Sequence, residues 1–280
     1  MDCCLWGDSY QETDPGAGGP GPGVPDGPGE RNGCKVAEPF RGCINGVCAQ
    51  LGAGPPVPRL RSMARGERLE TGSGVKLWTV LGGTVALCTA LADGRRQIVC
   101  LATQGDRFCP PDEDESLDFW IEALAPSHLC ELDLSGHAGT IAGNASLSAA
   151  LFRAARDQAR CIYAHLVTLG RLDGMERVCL FLADMAWRVG EHTAQGWRVR
   201  LPLAREDIAD YLGLNAETVS RIFSRVKKAR LADFHSPTEY VVRDLAGLQN
   251  RAPILAPHSA EKSAAQNASE AALQPMEVHR

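Results

Sequence analysis

The hydrophobic pattern changes its period near the middle of the chain. Between residues 59 and 134, short β-prone runs alternate with turn residues, and TVALCTALADGRRQIVCLA places Asp93-Gly94 between two such runs. An Asp-Gly pair in this position is a strong hairpin signal. Gly82-Gly83 and Gly105-Asp106 mark further turns at similar spacing. The segment is therefore predicted to form a compact antiparallel sandwich or barrel.

A helical period begins at Leu147. Apolar side chains then recur every three or four residues, at Leu147, Leu151, Ala155, Ala159, Ile162, Leu166 and Leu169. This spacing predicts a helix of about six turns with one narrow apolar stripe. A stripe so long and narrow favours a seam against an identical helix, and so a homodimer, with packing over the barrel as the alternative. Asp173 and Glu176 form a capping-box pattern that predicts the start of a second helix.

The two ends of the chain have a different composition. Residues 13 to 33 are mostly Gly, Pro and acids, so 1–33 is predicted to be a disordered tail, and 249–280 a second flexible one. No apolar run is long enough to span a membrane, and the acidic amino terminus does not resemble a secretory signal. A cytoplasmic location is expected, where the eleven cysteines stay reduced and metal binding or redox chemistry becomes the alternative to disulfides.

The segment REDIADYLGLNAETVSRIFSRVKKARL has the pattern of two helices joined by a tight turn. A first helix over 205–212 is predicted to end at Gly213, and Asn215 is a good N-cap for a second helix that starts at Ala216. The apolar positions of the second helix predict its buried face, which comprises Val219, Ile222, Phe223 and Val226. The pattern is typical of a helix-turn-helix.

The opposite face of the second helix carries residue types that read DNA. Glutamate can accept from cytosine N4, arginine can donate to guanine O6 and N7, and serine can bond a donor or an acceptor. Basic residues a turn further on suit phosphates. The predicted DNA-binding residues are Glu217, Thr218, Ser220, Arg221, Arg225 and Lys228. The alternative is an ordinary solvated face with a Glu217–Arg221 ion pair.

Charge supports a nucleic-acid interface only locally. The whole chain has a net charge of −5, which alone argues against a polyanionic partner. Residues 198–230, however, contain eight cations and four acids, a local net of +4. A basic segment on an acidic chain is typical of a separate nucleic-acid module.

Residues 199 to 245 resemble the winged helix-turn-helix of the CRP/FNR family of bacterial transcription regulators. LPLAREDIADYLGLNAETVSRIFSRVKKARL contains the E-x-x-S-R recognition signature of that family, and LADFHSPTEYVVRDLAGL resembles its two-stranded wing. VLGGTVALCTALADGRRQIVCLATQGD resembles the family's β-roll sensor, and the helix from Leu147 lies where the family has its dimerisation helix. One departure is Ala204, a poor cap where the family usually has Thr or Ser.

The resemblance implies a fold and a set of partners. The fold is α+β, with an N-terminal antiparallel β-roll over 59–138, a long dimerisation helix over 139–171 and a C-terminal winged helix-turn-helix over 172–248. The partners are a second copy of the chain, palindromic double-stranded DNA with TTGAT-like half-sites, and RNA polymerase. An enzyme is not expected, because the roll region holds only His128 and His137 and the chain lacks the common catalytic motifs.

Within the family, the FNR branch implies an oxygen-labile 4Fe-4S cluster. The implied ligands are Cys34, Cys43 and Cys48 in segment 34–58, with Cys130 in SHLCEL as the fourth. The C-x8-C-x4-C spacing departs from the C-x2-C-x5-C of that branch, so structural zinc, thiol oxidation without metal and a small ligand in the roll remain alternatives. A cyclic nucleotide is not expected, because acidic DEDESLD replaces the family's phosphate-binding cassette.

Overall fold

The computed structural model describes residues 58–111, 117–254 and 256. The predicted tail over 1–33, the three cysteines at 34, 43 and 48, and most of the acidic run DEDESLD lie outside the described residues.

The first part of the chain forms the predicted antiparallel roll. Two four-stranded sheets, in the orders β1-β8-β3-β6 and β2-β7-β4-β5, face each other. Their inner faces bury large apolar side chains such as Trp78, Phe108 and Ile121. The strands are β1 (Arg59–Met63), β2 (Arg68–Glu70), β3 (Lys76–Gly82), β4 (Thr84–Ala90), β5 (Arg96–Thr103), β6 (Arg107–Phe108), β7 (Phe119–Ala123) and β8 (Ser127–Asp133).

Two glycine turns of the roll have different roles. The hairpin predicted at Asp93-Gly94 is confirmed, since β4 and β5 pair antiparallel and Gly94 has φ +84°. The Gly82-Gly83 pair is a corner instead of a hairpin turn, because β3 and β4 belong to different sheets. Gly83 has φ +85°, and a Cβ there would lie 2.4 Å from the Pro126 carbonyl oxygen. Only glycine lets the chain cross between the sheets at this point.

The segment 139–171, predicted as one long helix, contains a break. A short helix α1 (Ala138–Ala142) ends at Gly143, and the long helix α2 (Ala145–Arg171) begins after it. The Asn144 side chain caps α2 by accepting a hydrogen bond from the Leu147 backbone at 3.0 Å. This cap separates the two helices, because an N-cap residue is extended and ends any preceding helical run.

The apolar stripe of α2 divides into two parts with different environments. Leu147 is fully buried and packs with Ala150 on the outer face of the roll. Further along, the stripe emerges from the roll, and Ile162 and Leu166 are 43% and 65% exposed. Packing over the roll is therefore confirmed for the start of the stripe only, and the seam against a second copy stays a prediction for the rest. Its first turns cover the roll, and its second half is uncovered in the single chain.

A buried helix connects α2 to the last domain. The capping box predicted at Asp173 and Glu176 is confirmed, with the two reciprocal hydrogen bonds at 2.9 and 2.7 Å. It starts helix α3 (Gly174–Val189), whose residues from Val178 to Trp187 are all buried. In the described part of the chain, no helix is both long and apolar enough to cross a membrane.

The last domain is a winged helix-turn-helix. Its four-stranded sheet, in the order β11-β12-β10-β9, contains the predicted two-stranded wing and two further strands that were not predicted. The elements are β9 (Gly190–Thr193), β10 (Gly196–Arg200), α4 (Arg205–Leu212), α5 (Ala216–Lys228), β11 (Ala232–Ser236), β12 (Glu239–Val242) and α6 (Leu245–Gln249).

The prediction of a flexible tail from residue 249 is wrong for its first residues. Ala252, Ile254 and Ala256 pack against a small cluster formed by Leu172, Leu180 and Trp187. Ala256 is only 2% exposed. Burial of these apolar side chains against α3 offsets the cost of ordering the backbone there.

Candidate DNA-binding surface

The turn between α4 and α5 has the geometry that the sequence predicts. Gly213 ends α4 in the left-handed conformation with φ +62°, and the Leu214 backbone donates to the Ala209 carbonyl at 3.0 Å. The Asn215 side chain then caps α5 by accepting from the Thr218 backbone at 2.7 Å. These local bonds fix the angle between the two helices.

One face of α5 anchors it to the domain. The four apolar residues predicted to be buried are all at most 6% exposed, namely Val219, Ile222, Phe223 and Val226. The Phe223 ring also stacks on Phe234 of the wing, with the ring centroids 4.5 Å apart. The helix is therefore held by the core and by the wing together.

The other face of α5 is open to solvent. The Glu217 and Arg221 side chains are 81% and 68% exposed. Ser220, Arg225 and Lys228 are exposed as well, and Thr218 is half-buried. The Arg221 Nη2 donates to Thr218 Oγ1 at 3.0 Å, whereas its Nε lies 4.0 Å from Glu217 Oε1. A long, exposed ion pair of this kind contributes little to stability. The Arg221 guanidinium is therefore available to a ligand. The structure brings all six predicted residues onto one surface.

The surface is more basic than the residue count suggests. Asp207 and Asp210 of α4 point away from α5 and form ion pairs with Arg96 of the roll, at 2.6 and 2.7 Å. Two of the four acids between 198 and 230 are thus engaged with a cation of the roll and do not lie on the exposed face of α5. The exposed cations of α5 remain on the outer side, where they can meet phosphates.

Arg205 is a residue of this region that the sequence reasoning missed. Its guanidinium lies 4.2 Å from the centre of the Phe223 ring, and its Nη1 donates to the Pro237 carbonyl at 3.4 Å. Desolvation lowers the pKa of Arg205 from its ordinary value. The side chain links the start of α4, helix α5 and the wing turn. A cation–π contact between distant residues leaves no local sequence signal.

The N-terminus of α4 confirms the weak cap predicted at Ala204. Alanine offers no side-chain acceptor, and the Asp207 carboxylate instead accepts from the Ala204 backbone at 3.0 Å. One of the free backbone donors is satisfied in this way, while the N3 backbone lacks the bond that Ser or Thr would supply.

Of the four predicted metal ligands, the structure describes only Cys130. It lies on β8, on the outer face of its sheet, and is 1% exposed among Leu77, Leu132 and other apolar side chains. Its register partner on β1 is Leu60. Within the described ranges, no three His, Cys, Asp or Glu side chains are placed to hold a metal ion. Because Cys34, Cys43 and Cys48 lie outside the described residues, the four-cysteine ligand set stays a prediction.

Three other cysteines have environments that suppress thiol chemistry. Burial raises the pKa of Cys88 and of Cys100 to about 12, and that of Cys179 to about 11. Cys88 and Cys179 are fully buried, whereas Cys100 and Cys161 are half-buried. A thiol with so high a pKa is a poor nucleophile and a poor metal ligand at neutral pH.

A cavity of about 250 Å³ lies where the roll, α2, α3 and α4 meet. Its walls include Cys100, Cys161, Phe181 and Arg188. Arg188 forms an ion pair with Asp106 and donates to the Leu101 carbonyl at 2.7 Å. The wall is mixed, with apolar patches and a few charged groups, which is typical of small-molecule sites.

The fold and the exposed face of α5 together define a DNA-binding transcription regulator of the winged helix-turn-helix class. Residues 176–251 match the model of the Crp-like helix-turn-helix domain. The nitrogen fixation regulation protein FixK of Azorhizobium caulinodans is 32% identical over 174 residues, which cover 62% of this chain and 70% of that protein. FixK of Rhizobium meliloti is 36% identical over 157 residues, covering 56% and 68%.

The structure of FixK2 from Bradyrhizobium japonicum superposes with a TM-score of 0.61 and 28% identity, over 71% of this chain and all of that one. The chain belongs to the CRP/FNR family of transcription regulators.

Proposed function

We propose that the protein is a cytoplasmic homodimer that binds palindromic FNR-like operators and regulates transcription with RNA polymerase in response to oxygen or redox state. The observation that carries this proposal is the surface of α5, where Glu217, Ser220 and Arg221 are exposed together near the amino end of a firmly anchored helix. A helix presented in this way can enter the major groove with its first turns against base edges.

The residues of α5 divide into base contacts and phosphate contacts. Arg221 is the candidate for guanine, since among the described residues only Thr218 and a distant Glu217 hold its guanidinium. Lys228, one to two turns further, is the candidate for phosphate. Arg221→Ala should cost about 1 to 3 kcal/mol on a TTGAT palindrome and little on random DNA, whereas Lys228→Ala should weaken both equally. Equal losses for Arg221→Ala on both DNAs would make it a phosphate contact.

The uncovered half of α2 supports the homodimer. Its exposed large apolar side chains are Ile162, Tyr163, Leu166 and Val167. A monomer rarely leaves so long an apolar helix face in water, and two such faces can pack as a two-fold seam. Leu166→Asp should convert the dimer to a monomer in sedimentation experiments, while Arg153→Asp, at an exposed polar position of the same helix, should not. A wild-type monomer at micromolar concentration would refute the seam.

The sensor proposal rests on Cys130 and the cysteine segment before the roll. Leu60 on β1 pairs with Cys130. Cys48 precedes Leu60 by only twelve residues, so a chain of at most about 40 Å links it to the strand beside Cys130. Four thiolates from Cys34, Cys43, Cys48 and Cys130 are the donor set of a 4Fe-4S cluster, which would supply an oxygen-labile group.

Iron and sulfide analysis of anaerobically purified protein tests this proposal. Stoichiometric iron and sulfide, with a visible absorption band that bleaches in air, are expected. Cys130→Ala should abolish oxygen-dependent DNA binding, whereas Cys88→Ala, which removes a buried thiol elsewhere in the roll, should retain it. An unchanged oxygen response in Cys130→Ala would remove that residue from the ligand set.

A small-molecule signal is the second candidate, and the cavity between the roll and α2 favours it. With about 250 Å³ of space and a mixed wall, it could admit a small ligand. Colourless, iron-free protein that still binds the palindrome would favour this alternative over the cluster. Zinc analysis of the same sample would detect a closed thiolate site.

A further inference from the structure

Helix α4, which precedes the recognition helix, lies directly against the sensor roll of its own chain. Ile98 and Leu101 of β5 share one apolar core with Ile208 and Leu212 of α4. Apolar packing of this kind is strong but non-directional, and it tolerates small rotations and slides of one element on another. Something further is needed to fix the angle at which α4 sits on the roll.

Arg96, the first residue of β5, forms a polar clamp at the edge of this contact. Its three guanidinium nitrogens each bind a different carboxylate. Nη2 donates to Asp207 at 2.6 Å and Nε to Asp210 at 2.7 Å, both on α4, while Nη1 donates to Glu122 of the roll at 2.7 Å. The side chain of Arg96 is 18% exposed, and those of Asp207 and Glu122 are 11% exposed. The planar fork of arginine makes such a three-way contact strongly directional.

The partners of Arg96 are themselves fixed. Asp207 also accepts from the Ala204 backbone at the start of α4, and Glu122 also accepts from Trp120 Nε1 at 3.0 Å. The neighbouring Gln97 side chain donates to the Asp210 carbonyl at 2.7 Å. Arg96 therefore connects two rigid elements by groups that have little freedom to move.

We propose that Arg96 is a positioning residue for DNA recognition, which sets the orientation of α4, and with it the recognition helix, relative to the roll. The α4–α5 turn is held by Gly213 and the Asn215 cap, so a rotation of α4 carries α5 with it. In a dimer built through α2, the separation and tilt of the two recognition helices then depend on this clamp. This inference rests on the proposed homodimer and palindromic operator.

The test uses duplexes that carry two inverted TTGAT half-sites. The half-site centres lie about one helical turn apart or are displaced from that spacing by one or two base pairs, and a duplex with one half-site serves for comparison. Wild-type protein should show a sharp optimum of spacing. Arg96→Met keeps the apolar stem and removes the charge. It should lose about tenfold in affinity at the optimal spacing, because only a fraction of dimers then holds the correct geometry.

Binding to the single half-site should change less than about twofold in Arg96→Met, and the profile over spacings should become flat. Arg96→Lys can hold one carboxylate but not three. Its affinity at the optimal spacing should therefore lie between those of the wild-type protein and Arg96→Met. The matched control is Arg95→Met. Arg95 is adjacent in sequence, 75% exposed, and paired with Asp93 in the hairpin turn, so its removal should leave the profile unchanged.

The outcomes separate the possible failures. A sharp wild-type optimum with the same profile in Arg96→Met would overturn the role of Arg96 and leave the proposed operator intact. Equal losses on one and two half-sites would make Arg96 a residue for folding only, and a melting curve of each variant would show the matching loss of stability. A wild-type protein without any spacing preference would refute the palindromic operator, and the role of Arg96 with it.

Discussion

Acid should destabilise this protein through His165 before it protonates the carboxylates. The imidazole lies on α2 and stacks on Tyr211 of α4, with the ring centroids 4.2 Å apart. Burial lowers the pKa of His165 from 6.5 to about 4. Its Nε2 has no hydrogen-bond partner among the described residues, so a proton added there would be buried and unpaired.

The magnitude follows from proton linkage. The unfolded chain binds a proton at His165 below a pH of about 6.5, whereas the folded chain does so only near pH 4. The free energy of unfolding is therefore not reduced by His165 above pH 7. It declines as the pH falls from about 6.5 to about 4, because the unfolded chain then binds a proton that the folded chain does not. A difference of about 2.5 pKa units corresponds to a loss of about 3 kcal/mol between pH 7 and pH 4.

Urea unfolding measured at several pH values provides the assay. The wild-type free energy of unfolding should fall with a slope approaching about 1.4 kcal/mol per pH unit between pH 6 and pH 4.5. His165→Gln should be less stable at pH 7 and should lose most of that slope. His192→Gln, at an exposed histidine of β9, should retain it. A slope that is the same in His165→Gln and wild-type protein would refute the assignment.

Two further predictions concern backbone geometry. Ala204 has the extended conformation of an N-cap, so Ala204→Ser should add the missing bond and raise the free energy of unfolding by about 1 kcal/mol. An unchanged melting temperature would show that the N3 backbone is already satisfied. Gly196 has φ +119°, and a Cβ there would lie 2.2 Å from the Val242 carbonyl oxygen, so Gly196→Ala should cost about 2 kcal/mol or more. Gly94→Ala is the control, since its φ is also positive but its surroundings are open. Equal losses in both variants would mean that the clash adds nothing.

Local chemistry explains which elements could be predicted from the sequence. The Asp93-Gly94 hairpin, the capping box at Asp173 and the Gly213 turn each depend on residues a few positions apart. The recognition surface was predictable for the same reason, because the side chains on one helix face follow from its period.

The features that were missed depend on distant partners. The contact of Arg96 with Asp207 joins residues 111 positions apart, and neither residue differs in local pattern from an ordinary surface charge. Strands β9 and β10 are short and were obscured by the longer helical signals beside them. No local motif marks the first residues of the tail from residue 249 as ordered, and only their packing against α3 shows it.

The apolar core that Ile98 and Leu101 share with α3 and α4 has a consequence for how the molecule can be divided. Since the core crosses from the roll into the C-terminal domain, the two parts should unfold as one cooperative unit instead of two independent modules. A fragment that begins at α3 and contains only the C-terminal domain would expose the apolar residues that the roll now covers. Such a fragment would tend to aggregate. The roll and the DNA-binding domain of this chain should therefore depend on each other to fold.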